Sequence, residues 1–268
     1  MTVAATTITK TVADLKADLK ITPVDEGIDD WLNILVYGVP GCGKTHFLGT
    51  AADDPRTSPV LVLDVEGGLR TLRKFPNKHN IERIVVRSLR DIDEKYNMLY
   101  HSIAEGRFPY KTIGIDSGTE LADLDMRLVM ADAYQRNPDK VNIDVPSPRE
   151  WGITRNHMRK LIRAFKDLPC NFIMTAQMGE KQEEGQPTTY FPGFAGKLVR
   201  EAPGFFDIVG YLSVDYDPTG GPVTRKLQIQ GTKKVVAKDR DDLLGGLMEN
   251  PTIPQMWNKI NGEHGESD

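Results

Sequence analysis

Cysteine is nearly missing from the sequence: Cys42 and Cys170 are the only two in 268 residues, with no CxxC and no Cys/His pair at metal-ligand spacing. That excludes a disulfide scaffold and a zinc module, and a reducing compartment is expected. No uninterrupted apolar run approaches the roughly 18 residues a membrane helix requires, and the Thr-rich start MTVAATTITK has no continuous apolar stretch of a signal peptide. The expectation is a cytoplasmic protein without a membrane partner. Positive charge is not in excess either. A formal net charge of -4 excludes a wholly basic nucleic-acid coat but leaves room for a local basic groove. No internal repeat occurs. What remains is the balance of an ordinary globular chain, 39% hydrophobic and 27% charged. At this length folding removes roughly 70 to 75% of the chain's surface from water, so a core forms without staples.

Apolar, β-branched runs recur at Leu32 to Val39, Pro59 to Val65, Arg83 to Leu89, Thr112 to Asp116 and Asn171 to Ala176. Near-continuous runs of this kind suit strands buried on both faces. Helix-compatible stretches separate them at Lys44 to Ala52, Asp91 to Glu105, Gly118 to Tyr134 and Ser147 to Leu168. This βαβα order predicts an α/β fold with a mostly parallel central sheet and helices on both faces. From residue 207 the texture changes to Asp207 to Tyr216, Thr224 to Gln230 and Lys234 to Lys238, which predicts a C-terminal antiparallel extension. In TVADLKADLK, Val12, Leu15 and Leu19 recur at helical spacing, while the tail after Asn261 is polar. Gly179 to Phe206 is rich in Gly, Pro and Glu with little periodicity, so it reads as a long functional loop.

The strongest signal is Gly38-Val39-Pro40-Gly41-Cys42-Gly43-Lys44-Thr45, a full GxxxxGK[ST] pattern between a strand run and a helix run. Glycines let the backbone turn consecutive N–H groups into one concavity, where a triphosphate is held by main chain from Gly38 through His46. Lys44 reaches the β and γ phosphates, and the Thr45 hydroxyl ligates Mg²⁺. Cys42 reads as a small tolerated side chain rather than a redox centre. A second carboxylate for the metal should end an apolar strand, and Asp116 in Thr112-Ile113-Gly114-Ile115-Asp116-Ser117 does so. Ser117 follows it, not glutamate. The acid appears instead at Asp64-Val65-Glu66-Gly67-Gly68, which makes Glu66 the candidate base orienting the attacking water.

With these motifs the chain resembles the RecA superfamily. DVEGGLRTL is similar to the DTEG segment of Rad-type recombinases, IGIDS to their Walker B strand, and Phe172 to Gln177 to the strand ending in a polar sensor, here Gln177. Lys233 to Arg240 resembles the element that oligomeric relatives insert into a neighbour's ATP site, with Asp239 in place of Asn, so the trans-acting group is Lys238 or Arg240. The compact length and the P-loop wording look most like phage-encoded short RecA-like proteins of the Sak annealing group.

The resemblance implies a RecA-like ATPase core over residues 31–240, flanked by an extension at 1–30 that tethers neighbours and a C-terminal extension at 241–268. It also implies ATP with Mg²⁺, a homo-oligomeric ring or filament, single-stranded DNA as partner, a single-stranded DNA-binding protein as a further one, and host cytoplasm for a phage-encoded chain. ATP is favoured over GTP because no [NT]KxD signature occurs. The equivalent of the mobile DNA-binding loop follows Gln177 and carries Lys181, Lys197 and Arg200 with Tyr190, Phe191 and Phe194, a mixture suited to single strands. Glu180, Glu183, Glu184 and Glu201 oppose this. Arg155, Arg159 and Arg163 lie every fourth residue along one helix and form a charged solvent face or a second DNA candidate. His157 stands alone and reads as structural. Two other readings are an AAA-type helicase loader or remodelling ATPase, prompted by GxPGxGKT and opposed by Ser117, and a nucleotide-gated scaffold with little turnover.

Overall fold

A computed structural model describes residues 12–19, 31–216, 219 and 221–262. The tail from residue 263 lies outside the described residues. Contacts divide the chain into Met1–Asp30 and Trp31–Asp268. In the first unit the described element is α1 (Val12–Asp18), where the helical spacing was read.

In the second unit the order is β1 (Asn33–Gly38), α2 (Lys44–Gly49), β2 (Val60–Asp64), β3 (Ile81–Val85), α3 (Leu89–Ala104), β4 (Thr112–Asp116), α4 (Gly118–Arg136), α5 (Pro148–Lys166), β5 (Asn171–Lys181), β6 (Thr189–Pro192), α6 (Leu198–Phe205), β7 (Ile208–Asp215), β8 (Thr224–Gln228), β9 (Lys238–Asp239), β10 (Leu247–Glu249) and α7 (Ile253–Ile260). The strands form one sheet in the order β10-β8-β7-β1-β5-β4-β2-β3, with β6 joined to β5 and β9 to β7. From β7 to β3 all neighbours are parallel, and β8 and β10 add an antiparallel edge. The expected α/β core with a mostly parallel sheet and an antiparallel C-terminal extension is therefore present. One boundary shifts: β7 pairs in parallel with β1, so the extension begins only at β8.

Alternation along the strands divides the core into two layers. Leu35, Tyr37, Ile113, Ile115, Phe172 and Met174 face Met158, Ile162 and Phe165 of α5 and Leu198 of α6. Ile34, Val36, Val60, Val62 and Ile173 face Phe47 and Leu48 of α2 and Ile253 and Met256 of α7. Helices thus cover both faces, which is why β1, β2 and β4 are buried at every residue and read as unbroken apolar runs. Buried Asn171 fastens three strand starts: its Oδ1 accepts from Leu32 N at 2.9 Å and its Nδ2 donates to Lys111 O at 2.8 Å. Among the described residues no helix is long and apolar enough to cross a membrane.

The stretch Gly179 to Phe206 departs from the loop expectation. β5 continues past the sheet to Lys181 and turns through Gly185 (φ 72°) into β6, and the chain then forms α6. Lys234 to Lys238 also differs, contributing one isolated bridge from Val235 to Tyr190 and the two-residue β9.

Candidate active site

Parallel register brings the strand tips to one edge. Gly38 stands beside Gln177, and Asp64 beside Asp116. The loop leaving β1 starts at a glycine that no other residue can replace without movement, since a Cβ at Gly38 would lie 2.2 Å from Leu212 O and 2.7 Å from Cys42 Sγ. It ends at Gly43, whose φ of 106° is left-handed and opens α2 with no side-chain cap, leaving the first-turn N–H groups to face the cleft. Lys44 is buried, and its Nζ donates to Gly38 O (2.9 Å), Val39 O (3.1 Å) and Gln177 Oε1 (3.3 Å). The ammonium is thereby held inside the loop it serves.

The acidic wall comes from three neighbouring strands. Asp116 accepts from Thr45 Oγ1 at 2.7 Å through Oδ2 and from Thr175 Oγ1 at 2.5 Å through Oδ1. Its backbone carbonyl accepts from Val65 N (2.9 Å) and Glu66 N (3.1 Å), which fixes where Glu66 leaves β2. Asp64 is buried and accepts from Gly67 N at 2.8 Å, shaping the turn after Glu66. The exposed Arg83 pairs with it at 3.4 Å. Gln177 bridges the two sides, since its Oε1 accepts from Lys44 and its Nε2 donates to Glu66 Oε1 at 3.1 Å. Its backbone N donates to Thr119 Oγ1 at 3.0 Å. A cleft of about 280 Å³ is lined by the loop together with Glu66, Thr71, Asp116, Gln177 and Arg225.

The cleft therefore gathers Pro40, Gly41, Gly43, Lys44, Thr45, His46, Glu66, Asp116 and Gln177, all named from the sequence, with Gly38 at its base. Cys42 is buried beneath the loop, and burial raises its thiol pKa against the lowering effect of Lys44, so it is no poised thiolate. His46 packs its ring on Phe75 at 4.8 Å, and burial followed by the nearby Arg225 cation lowers its pKa. Sequence reading missed Thr175 and Arg225. Thr175 carries no motif of its own. Arg225 reaches the loop only because β8 lies two strands from β1.

The expected DNA-binding residues separate into groups. Lys181, Phe191, Lys197 and Arg200 line a hollow of about 770 Å³ between the β5–β6 hairpin and α6. Lys181 is paired with Glu183 at 2.5 Å. Tyr190 is half-buried and stacks on Tyr211, with ring centroids 5.7 Å apart at 4°. Phe194 is a correction: it is only 6% exposed and belongs to the core beside Gly118, so it offers no face to a base. The arginine row on α5 is also corrected. Arg155 and Arg159, half-buried, lie 3.7 Å from Glu201, and the exposed Arg163 lies over the Phe205 ring at 5.2 Å, so the row packs in part against α6 instead of forming a purely solvent-facing stripe. His157 is not alone, since its Nδ1 meets both carboxylate oxygens of buried Asp125 at 3.0 Å. Lys238 and Arg240 lie at the opposite end of the sheet, where β9 pairs the start of β7. Lys238 Nζ donates to Phe206 O at 2.7 Å, and Arg240 pairs with Asp207 at 2.6 Å, so neither enters its own chain's cleft.

Comparison with known proteins gives a family and a set of distant shapes. The profile of the AAA domain family matches residues 31–241. No curated protein matches the sequence. Among solved structures, the RadB recombinase superposes with a TM-score of 0.46 at 14% identity, covering 82% of this chain and 86% of that one. A KaiC-like protein from Pyrococcus horikoshii gives 0.42 at 14% identity, covering 83% and 91%. The flagellar accessory protein FlaH from Methanocaldococcus jannaschii gives 0.41 at 12% identity, covering 79% and 83%.

Proposed function

Because the chain belongs to the AAA domain family, matched over residues 31–241, we propose that it is a Mg²⁺-dependent, RecA-like P-loop ATPase. It assembles on single-stranded DNA and promotes annealing or homologous recombination, as its resemblance to the Sak group implies. The observation that carries the ATPase reading is the continuous chain Lys44–Gln177–Glu66 facing the Thr45–Asp116 pair across one cleft. A hydroxyl and a carboxylate 2.7 Å apart are the donor set a hard cation takes, and two left-handed glycines leave the loop backbone free of side chains where phosphates would lie. Thr45 and Asp116 are the residues that would hold Mg²⁺, which when bound supplies charge neutralisation on the β and γ phosphates.

Each remaining role follows from position. Lys44 donates to the phosphate oxygens in place of the carbonyls of Gly38 and Val39. Glu66, exposed and accepting from Gln177 through Oε1, orients the attacking water and takes its proton. Gln177 touches Lys44 and Glu66 at once, and from the next residue, Met178, β5 pairs with β6 in the hairpin that lines the basic hollow. Occupancy of the cleft is thus linked to the surface formed by Lys181, Lys197 and Arg200 with Phe191, where cations and a ring take single-stranded DNA. In the assembly Lys238 or Arg240 of one copy stabilises charge on a neighbour's γ-phosphate, Arg240 exchanging Asp207 for it.

The family match also favours a second reading, an AAA-type helicase loader or remodelling ATPase whose partner is a protein. Steady-state ATP hydrolysis with no DNA, with single strands and with duplex, at several protein concentrations, separates the two. The recombination reading expects stimulation by single strands of about tenfold or more that rises cooperatively with protein concentration. Hydrolysis indifferent to DNA would sink it in favour of remodelling.

A further inference from the structure

We infer that Arg225 is a phosphate-binding residue supplied in cis by the C-terminal antiparallel extension, and that it holds the diphosphate part of the nucleotide rather than the γ-phosphate. The inference rests on the reading of the cleft as an ATP site.

Three observations converge on it. First, the Arg225 side chain lies against the loop: its Nε is 2.5 Å, and its Cδ 3.0 Å, from where a Cβ at Gly43 would stand. Arg225 lines the same cleft as Lys44, Thr45 and Glu66. Secondly, Nε is buried with no hydrogen-bond partner, and among the described residues no carboxylate forms an ion pair with this guanidinium. A buried N–H donor without an acceptor costs stability, and an oxyanion placed in the cleft removes that cost. Thirdly, the backbone is fixed on both sides. Arg225 N donates to Asn250 Oδ1 at 3.0 Å, and Asn250 N donates to Arg225 O at 2.7 Å, so β8 presents the residue from a set position.

Which phosphate it meets follows from topology. Glu66, Asp116 and Gln177 come from β2, β4 and β5, all on one side of β1. Arg225 comes from β8, beyond β7 on the other side, and approaches Gly43 rather than the Lys44–Gln177–Glu66 chain. It therefore serves phosphates common to ATP and ADP.

The test is calorimetric binding of Mg-ATP and Mg-ADP to wild type, Arg225→Gln, Arg225→Lys and Lys44→Ala, with thermal midpoints measured without nucleotide to show that each variant folds. Arg225→Gln is expected to weaken ATP and ADP equally, on the order of tenfold to a hundredfold, the usual range for a charge-assisted hydrogen bond. Arg225→Lys should recover part of the loss, because it keeps the charge without the fork. Wild-type affinity for both nucleotides in Arg225→Gln would overturn the assignment and leave the ATP site standing. A loss confined to ATP would overturn the placement on the diphosphate. Wild-type protein that binds neither nucleotide would overturn the reading of the site and the inference together.

Discussion

Glu66→Gln is expected to lower steady-state ATP hydrolysis by about 10²- to 10⁴-fold while ATP still binds, the range that a positioned general base contributes. The substitution keeps the length of the side chain and a hydrogen-bonding oxygen toward Gln177, and removes only the capacity to take a proton. Because Glu66 is exposed and its place is set by backbone bonds from Val65 N and Glu66 N to Asp116 O, the fold should not notice the change. A change of surface type usually stays within about 0.5 kcal/mol. The mutant should therefore accumulate as an ATP-bound species at an unchanged melting temperature. Turnover equal to wild type would remove Glu66 as the base and favour a nucleotide-gated scaffold with little turnover, since no glutamate follows Asp116 to take its place.

Phe172→Ala should cost about 3 to 5 kcal/mol of folding stability, the usual range for deleting a large aromatic ring from a core that cannot collapse. Phe172 sits on β5 at the centre of the sheet, paired with Asn33 and Ile113 in register, and is wholly buried. Its ring stacks on Phe165 of α5 at 5.7 Å and on Phe206 at 5.8 Å, so the cavity would open between a sheet and two fixed neighbours. Urea denaturation should show a lower midpoint with an unchanged slope. A loss below about 1 kcal/mol would mean that the layer containing α5 is not packed as described.

Much of this architecture is legible in the sequence because burial on both faces writes itself as unbroken apolar runs. β1, β2 and β4 fall inside the runs from which they were read. The P-loop, Asp116 and Glu66 are legible because phosphate chemistry restricts both residue type and its place at a strand end. β3 is less so: as an edge strand it is only partly buried, and it occupies Ile81–Val85 rather than Arg83 to Leu89. The hairpin and α6 escape because their partners are distant in sequence. Tyr190 is held by Lys234 and Val236, and Arg155 and Arg159 by Glu201, pairings that no local periodicity announces. Phe194 shows the same limit, since a ring between glycines reads as an exposed loop residue until Gly118 proves to leave room for it. Arg225 lies far from the P-loop in sequence, and only the order β8-β7-β1 brings it there.

Whether the cleft between the loop and Glu66 binds and hydrolyses ATP is read most directly from ATP turnover and ATP binding with and without Mg²⁺, for wild type and Lys44→Ala. The wild type is expected to hydrolyse ATP in a Mg²⁺-dependent way, with both binding and turnover lost in Lys44→Ala, because among the described residues Lys44 Nζ is the one cation that touches the loop carbonyls and Gln177 together. Hydrolysis at the wild-type rate by Lys44→Ala, or a wild type that neither binds nor turns over ATP, would contradict it.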